Sequence, residues 1–346
     1  MRFLKLLMCL LVCVFLVSCD LGFDSGFDIN IFSNNPGPIV TDYHTIYNIE
    51  TQTFHKITQS YNSRAYFVTD FENPENDVLL YNHRDGITLG DISGQAGSCD
   101  IEDAQLLAIS HNRNRMVYKK DKDLYLANVN ITGIINITNT PQTDFEATPS
   151  FTENDLMIVY AYNETEHNVL TPSIRTYNIE TGNTEILFTN ESTNSYMFSY
   201  PVLVNDMIIY LRSMNNSAPT MYFCDLDGEN HITQPTINPI ALAMNYKFNR
   251  LTYLAGSNGN NYLYAKDVST GSVRSVSVYN SQGPILFSFD QDLILLTSLA
   301  NRDSCTLYNA ETLGKITIEG LFGTPHINKA GTKLIGLSYT VIDYNN

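Results

Sequence analysis

The chain reads as an all-β protein, a seven-bladed β-propeller of four-stranded antiparallel blades, with six or eight blades as the neighbouring counts. Three observations predict this. A unit of short β runs recurs seven times along the chain. Each run is rich in Tyr, Ile, Val, Leu and Thr and is bounded by turn residues. After the first hydrophobic run, no stretch keeps the apolar period of a helix. A four-stranded unit of this length cannot bury both faces alone, so the units pack radially as blades.

The chain opens "MRFLKLLMCLLVCVFLVSCD". Arg2 and Lys5 form a basic start, and Leu6 to Val17 is an unbroken apolar run. That length suits a signal-peptide core and is short for a membrane span, which needs about 20 residues. Leu16-Val17-Ser18-Cys19 resembles the bacterial lipobox, with a small residue before the cleaved bond and a thiol after it. The expectation is a lipoprotein signal peptide over 1–18 and lipidation of Cys19, which tethers the rest to membrane lipid. Residues 19–42 are dominated by Gly, Asn, Asp and Pro and read as a tether. Phe23, Phe27 and Phe32 leave packing of this segment on the propeller as the alternative.

The propeller is expected over 43–346. Aligned on one turn residue, the units fall at Asn48, Asp91, Asn128, Asn178, Asp225, Asp267 and Asn309. The fullest unit is "DLYLANVNITGIINITNTPQTDFEATPSFTENDLMIVYAY", residues 123–162. It resembles the propeller repeat of the periplasmic protein TolB and its relatives. Ile137-Thr138 falls on that repeat's "LT" position, Pro149-Ser150-Phe151 on its "P-x-W-S" region and Glu153-Asn154-Asp155 on its "P-D-G" turn. Asp225-Leu226-Asp227-Gly228 matches its Asp-x-Asp-Gly turn. The chain departs from the pattern in having no Trp and a degenerate "P-D-G" turn. The resemblance implies that the "P-x-W-S" strand is innermost. On that register the strands 44–50 and 53–58 are outer ones, and they complete a last blade begun by 323–327 and 332–343.

Without the first 18 residues the chain carries 18 basic and 36 acidic side chains. Such a surface repels nucleic acid and anionic headgroups, so no nucleic-acid partner is expected. Cys99, Cys224 and Cys305 form no disulfide framework. A buried thiol is the ordinary state for Cys224, and a Cys99–Cys305 bridge stays open. No hydrolase, metalloprotease, dinucleotide or phosphate-loop motif occurs. The seven histidines are scattered, with His326 on a proposed inner strand near the axis. "DFENPEND", Asp70 to Asp77, could meet a hard cation but lacks calcium-loop spacing. No catalytic residue, metal site or cofactor is therefore expected.

"NETEHNVLTP", Asn163 to Pro172, reads as the longest insertion between strands. Loops on rigid scaffolds carry binding. Asn163, Glu164, Glu166 and His167 are therefore the expected contact loop. The functional expectation is a non-catalytic, lipid-anchored interaction or scaffold module with an envelope protein partner. It would face the periplasm or the cell surface. The alternative is a carbohydrate-binding or carbohydrate-cleaving propeller with its site at the axial channel.

Overall fold

The computed structural model describes residues 39–342, apart from 58–62, 71–75, 84, 91–99, 140–143, 167–168, 190–195, 215–216, 227, 229–231, 235–237, 258–259, 280–284, 288–289, 298–303 and 320. The expected signal peptide, Cys19, the tether up to residue 38, Cys99 and His167 lie outside the described residues. Val40–Thr340 gather into one compact unit.

The chain enters on β1 (Ile39–Asn48) and β2 (Thr53–Lys56), which form an outer hairpin. Blade 1 follows as β3 (Ser63–Thr69), β4 (Asp77–His83), β5 (Gly86–Gly90) and β6 (Ile101–Glu102). Blade 2 is β7 (Ala104–Ile109), β8 (Arg115–Lys120), β9 (Asp123–Asn128) and β10 (Ile135–Asn136). Blade 3 is β11 (Asp144–Phe151), β12 (Met157–Glu166), β13 (Val169–Asn178) and β14 (Thr184–Thr189). Blade 4 is β15 (Tyr196–Val204), β16 (Met207–Met214), β17 (Thr220–Asp225) and β18 (Ile232–Gln234). Blade 5 is β19 (Pro239–Asn245), β20 (Arg250–Ser257), β21 (Asn260–Asp267) and β22 (Val273–Tyr279). Blade 6 is β23 (Leu286–Phe287), β24 (Leu293–Thr297), β25 (Ser304–Asn309) and β26 (Lys315–Glu319). The last strands, β27 (Phe322–Ile327) and β28 (Lys333–Ile342), meet the first two in the order β2-β1-β28-β27. The fold is a seven-bladed propeller, as the recurring unit predicts, closed by two strands from each end. The expected tether gives up its last residues, since β1 begins at Ile39.

The core is divided among the seven blade-to-blade interfaces. Each interface holds its own apolar cluster. Val68, Leu80, Met116 and Tyr118 join blades 1 and 2. Leu126, Phe151, Ile158 and Tyr160 join blades 2 and 3, and Ile174, Phe198, Ile208 and Tyr210 join blades 3 and 4. In the closing blade, Tyr47 packs with Leu295 and Leu307 on one side. Ile46 packs with Phe67 and Leu79 on the other. Pairs of tyrosines add to three of these wedges. Tyr118 and Tyr125, Tyr210 and Tyr222, and Tyr253 and Tyr264 face each other directly in the second and third strands of their blades. Their rings stack at 5.4, 5.6 and 4.8 Å between centroids.

The degenerate "P-D-G" turn keeps its backbone. Its glycine position is left-handed at Arg113, Asp155, Asn249 and Gly331, with φ of 59°, 55°, 48° and 70°. Each of these N–H groups bonds back to the carbonyl three residues earlier. Asn tolerates this region through local hydrogen bonding, whereas Arg must be held there by its surroundings. Cys224 and Cys305 are buried thiols outside any disulfide among the described residues, and burial pushes Cys305 up to about 12.

Candidate functional site

All seven innermost strands turn residues toward one axial cavity of about 380 Å³. Tyr66 on β3, Leu107 on β7, Thr148 on β11, Tyr200 on β15, Ala243 on β19, Leu286 on β23 and His326 on β27 line it. Its size lies in the ordinary range for small-molecule sites, roughly 300–1,000 Å³. The wall is mostly apolar, and two features interrupt it.

The first is a buried polar cluster at the end of the inner strands. Arg113 leaves its left-handed turn in blade 2 and crosses blade 1. Its Nη1 donates to the Phe67 carbonyl at 2.9 Å. The same nitrogen lies 3.2 Å from Nδ1 and 3.1 Å from Nε2 of His326, in the closing blade. The Phe67 N–H donates to His326 Nδ1 at 3.2 Å. The Tyr66 ring meets the imidazole edge-on, 5.1 Å between centroids. Burial, and next the Arg113 charge, hold His326 well below its ordinary pKa, so the ring is neutral. Burial also lowers Arg113 to about 10, against the raising pull of Asp77 and Asp290.

The second feature is Tyr200. Its φ is 51° and it stays 41% exposed. It sits where the β15–β16 register slips between Ser199 and Val202. Blade 3 fixes this bulge. The Tyr200 N–H donates to Thr148 Oγ1 at 2.9 Å, and the Ser150 hydroxyl donates to the Pro201 carbonyl. A bulge re-aims a side chain, here into the channel.

Beside the cavity, Asp155 clamps blade 3 to blade 2. Its carboxylate accepts the N–H groups of His111 and Asn112 at 2.9 and 2.8 Å, and His111 Nδ1–H at 2.8 Å. Burial pushes this carboxyl up. The bond and charge of His111 and the two backbone donors outweigh it, leaving the pKa below its ordinary value.

The expected contact loop is placed differently. Asn163, Glu164 and Glu166 belong to β12, which pairs directly with β13. Asn163 is buried, and its amide spans to blade 4. Nδ2 donates to the Phe198 carbonyl at 2.8 Å, and Oδ1 accepts the Phe198 N–H at 2.9 Å. Asn82 plays half of the same part, with Oδ1 accepting the Leu106 N–H at 3.3 Å. The recurrence of Tyr81-Asn82 as Tyr162-Asn163 is the sequence signal for this clamp. His326 lies at the axis, as the repeat register implies. Tyr200 and Arg113 went unrecognised in the sequence. The available signal for Arg113 is its place in the "HNRN" turn, where the repeat has glycine. Among the described residues no group of three or more His, Cys, Asp or Glu could hold a metal ion.

No protein-family model and no curated protein matches the chain. Solved structures do. The oligogalacturonate lyase of Vibrio parahaemolyticus is 11% identical, with 89% of this chain and 99% of that one covered at a TM-score of 0.61. An oligogalacturonate lyase in complex with manganese is 10% identical, with 89% and 97% covered at 0.62. TolB from Acinetobacter baumannii is 12% identical, with 94% and 87% covered at 0.48. At these identities the likeness is one of fold. It nevertheless corrects the expectation that the chain is not an enzyme. Propellers that superpose over most of its length are lyases, so a missing short motif removes no chemistry from this fold. The physical reason is that axial residues come from different blades and leave no local spacing to read.

Proposed function

We propose that the chain is a bacterial envelope protein, anchored to membrane lipid through Cys19, whose propeller receives a ligand in its axial channel. The observation that carries the reading is Tyr200. A bulky residue at positive φ costs on the order of 1–3 kcal/mol and persists only where its surroundings over-determine it. Thr148 and Ser150 do so, and the side chain they present lines the cavity. Rigid aromatic walls suit sugars as well as apolar ligands, which keeps a carbohydrate within this reading. The lipobox and the acidic charge support an address at a membrane facing the periplasm or the cell surface.

The test is a thermal-shift screen of the purified full chain against saccharides, short peptides and organic acids, repeated on Ala243→Trp, which fills the channel. Ligands that stabilise the parent and not the variant support the reading. Ligands that bind both equally overturn it. A Cys19→Ala chain is expected to leave the membrane fraction.

A second reading, an envelope protein partner, draws on a different observation. Outermost strands expose large apolar residues: Phe54, Ile135, Ile186, Val273 and Ile316. Crosslinking in intact cells with the anchored chain tests it. A partner recovered with the parent and lost with Ile186→Lys and Ile316→Lys is the expected result.

A further inference from the structure

The polar side chains of the channel wall are largely engaged within the protein itself. The Ser110 hydroxyl donates to Asn114 Oδ1 at 3.2 Å and accepts the Arg115 N–H at 3.0 Å. Thr148 Oγ1 takes the Tyr200 N–H, and the Ser150 hydroxyl donates to the Pro201 carbonyl. His111 is held by Asp155, and Arg64 hydrogen-bonds the Tyr66 hydroxyl. Arg113 donates to the Phe67 carbonyl and is 7% exposed. Its Nη1 is nearly equidistant from the two His326 ring nitrogens, so it lies over the imidazole face. Asn245 and Tyr246 are buried. Among the described residues no Asp or Glu lines the cavity, although the chain is strongly acidic. Tyr200 is the exception. It is the one lining residue that is exposed, and its hydroxyl has no hydrogen bond among the described residues.

We infer that the channel takes a neutral, flat aromatic molecule carrying a single hydrogen-bonding group, which meets the Tyr200 hydroxyl. This rests on the channel-binding reading above and names its ligand class. The remaining wall, with Leu107, Ile109, Ala243 and Leu286, is apolar. Burying apolar ligand surface against it is favourable. The Tyr66 and Tyr200 rings suit an aromatic partner in offset or edge-on contact. A sugar brings several hydroxyls, and each one buried without a partner costs affinity. A carboxylate would have to draw Arg113 away from the Phe67 carbonyl or stay a buried charge. An ammonium group finds no acid on the wall and meets Arg113 instead.

The probe is indole, which carries an N–H and no charge. The chain contains no Trp, so indole emission reports the ligand alone. Titration with the full chain is expected to saturate and to move that emission to shorter wavelength. Methylating the ring nitrogen removes the donor, and 1-methylindole is expected to bind about threefold to tenfold more weakly. Tyr200→Phe keeps the ring and is expected to erase that difference. Indole-3-acetate and glucose are expected to bind about tenfold or more weakly than indole. Ala243→Trp, followed by calorimetry because it adds an indole of its own, is expected to abolish binding. Equal or tighter binding of glucose or indole-3-acetate, lost in Ala243→Trp, overturns the ligand class and leaves the channel reading standing. Absence of saturable indole binding, or equal binding of indole and 1-methylindole, also overturns the assignment. Indole binding unchanged in Ala243→Trp overturns both readings.

Discussion

Asp155 combines a left-handed backbone with a side chain that accepts three N–H donors, and substitution separates the two roles. Asp155→Gly keeps the turn and loses the charged hydrogen bonds, a cost of about 2 kcal/mol. Asp155→Ala loses the same bonds and adds about 1 kcal/mol for a Cβ at positive φ. Urea unfolding should therefore rank parent, Gly and Ala in that order, and equal midpoints for Gly and Ala would remove the backbone argument. His326 makes a second prediction, in pH. Its folded pKa lies below the unfolded value, so the unfolded chain takes up a proton that the native ring refuses. Its contribution is whole above about pH 6.5, the ordinary histidine value, and is lost as pH falls below it. His83 is lowered by burial and acts in the same direction, while Asp85 opposes it. Asp155, with its depressed carboxyl, contributes above about pH 4 and fades only in stronger acid. Between pH 7.5 and 5.5 the histidine effect dominates, with a slope approaching about 1.4 kcal/mol per pH unit for one group. Urea midpoints at the two pH values check it, and His326→Leu should flatten the difference.

Within the blades, the strands were readable where the pattern is local. The apolar run "LMIVYAY" and the Asn/Asp turns are set by neighbours in sequence, and β12 and β9 fall where that pattern places them. The hairpin β12–β13 was misread because polar residues continue a strand as readily as they form a loop when the partner strand is equally long. Glu166 pairs with Val169, so "NETE" extends the sheet. Asn163 illustrates the limit: its role is set by the Phe198 backbone of the next blade, 35 residues away. Removing its side chain leaves a buried N–H and carbonyl without partners. Asn163→Ala is expected to cost about 2–3 kcal/mol, against about 1 kcal/mol for Asn82→Ala, which frees a single N–H at a longer distance. Calorimetric unfolding of both variants checks the ranking, and a milder Asn163→Ala would show that this clamp carries no load between blades 3 and 4.

At the scale of the ring, the repeat register was enough to place inner and outer strands and to predict closure by both ends of the chain. The axial chemistry was not legible, because it is assembled across the ring. Arg113 and His326 are 213 residues apart, and Phe67 and His326 are 259 apart. No spacing motif spans such distances. Closure carries the last prediction. β1 and β2 supply half of the closing sheet, and β1 covers the edge of β28. Ile46 and Tyr47 on β1 also fill the two apolar wedges that flank that sheet. Deleting Ile39–Lys56 therefore does more than shorten a strand. It bares a ladder of unpaired backbone groups and opens both neighbouring interfaces, and a bared edge pairs with other chains. The deleted chain is expected to lose its single cooperative unfolding transition and to elute as associated species in size exclusion. Ile186→Lys, on the outer strand of blade 3, replaces a side chain that is 53% exposed and is expected to stay within about 0.5 kcal/mol of the parent. If the deletion variant unfolded as sharply as the parent and remained monomeric, ring closure would not be what makes the seven wedges one cooperative unit.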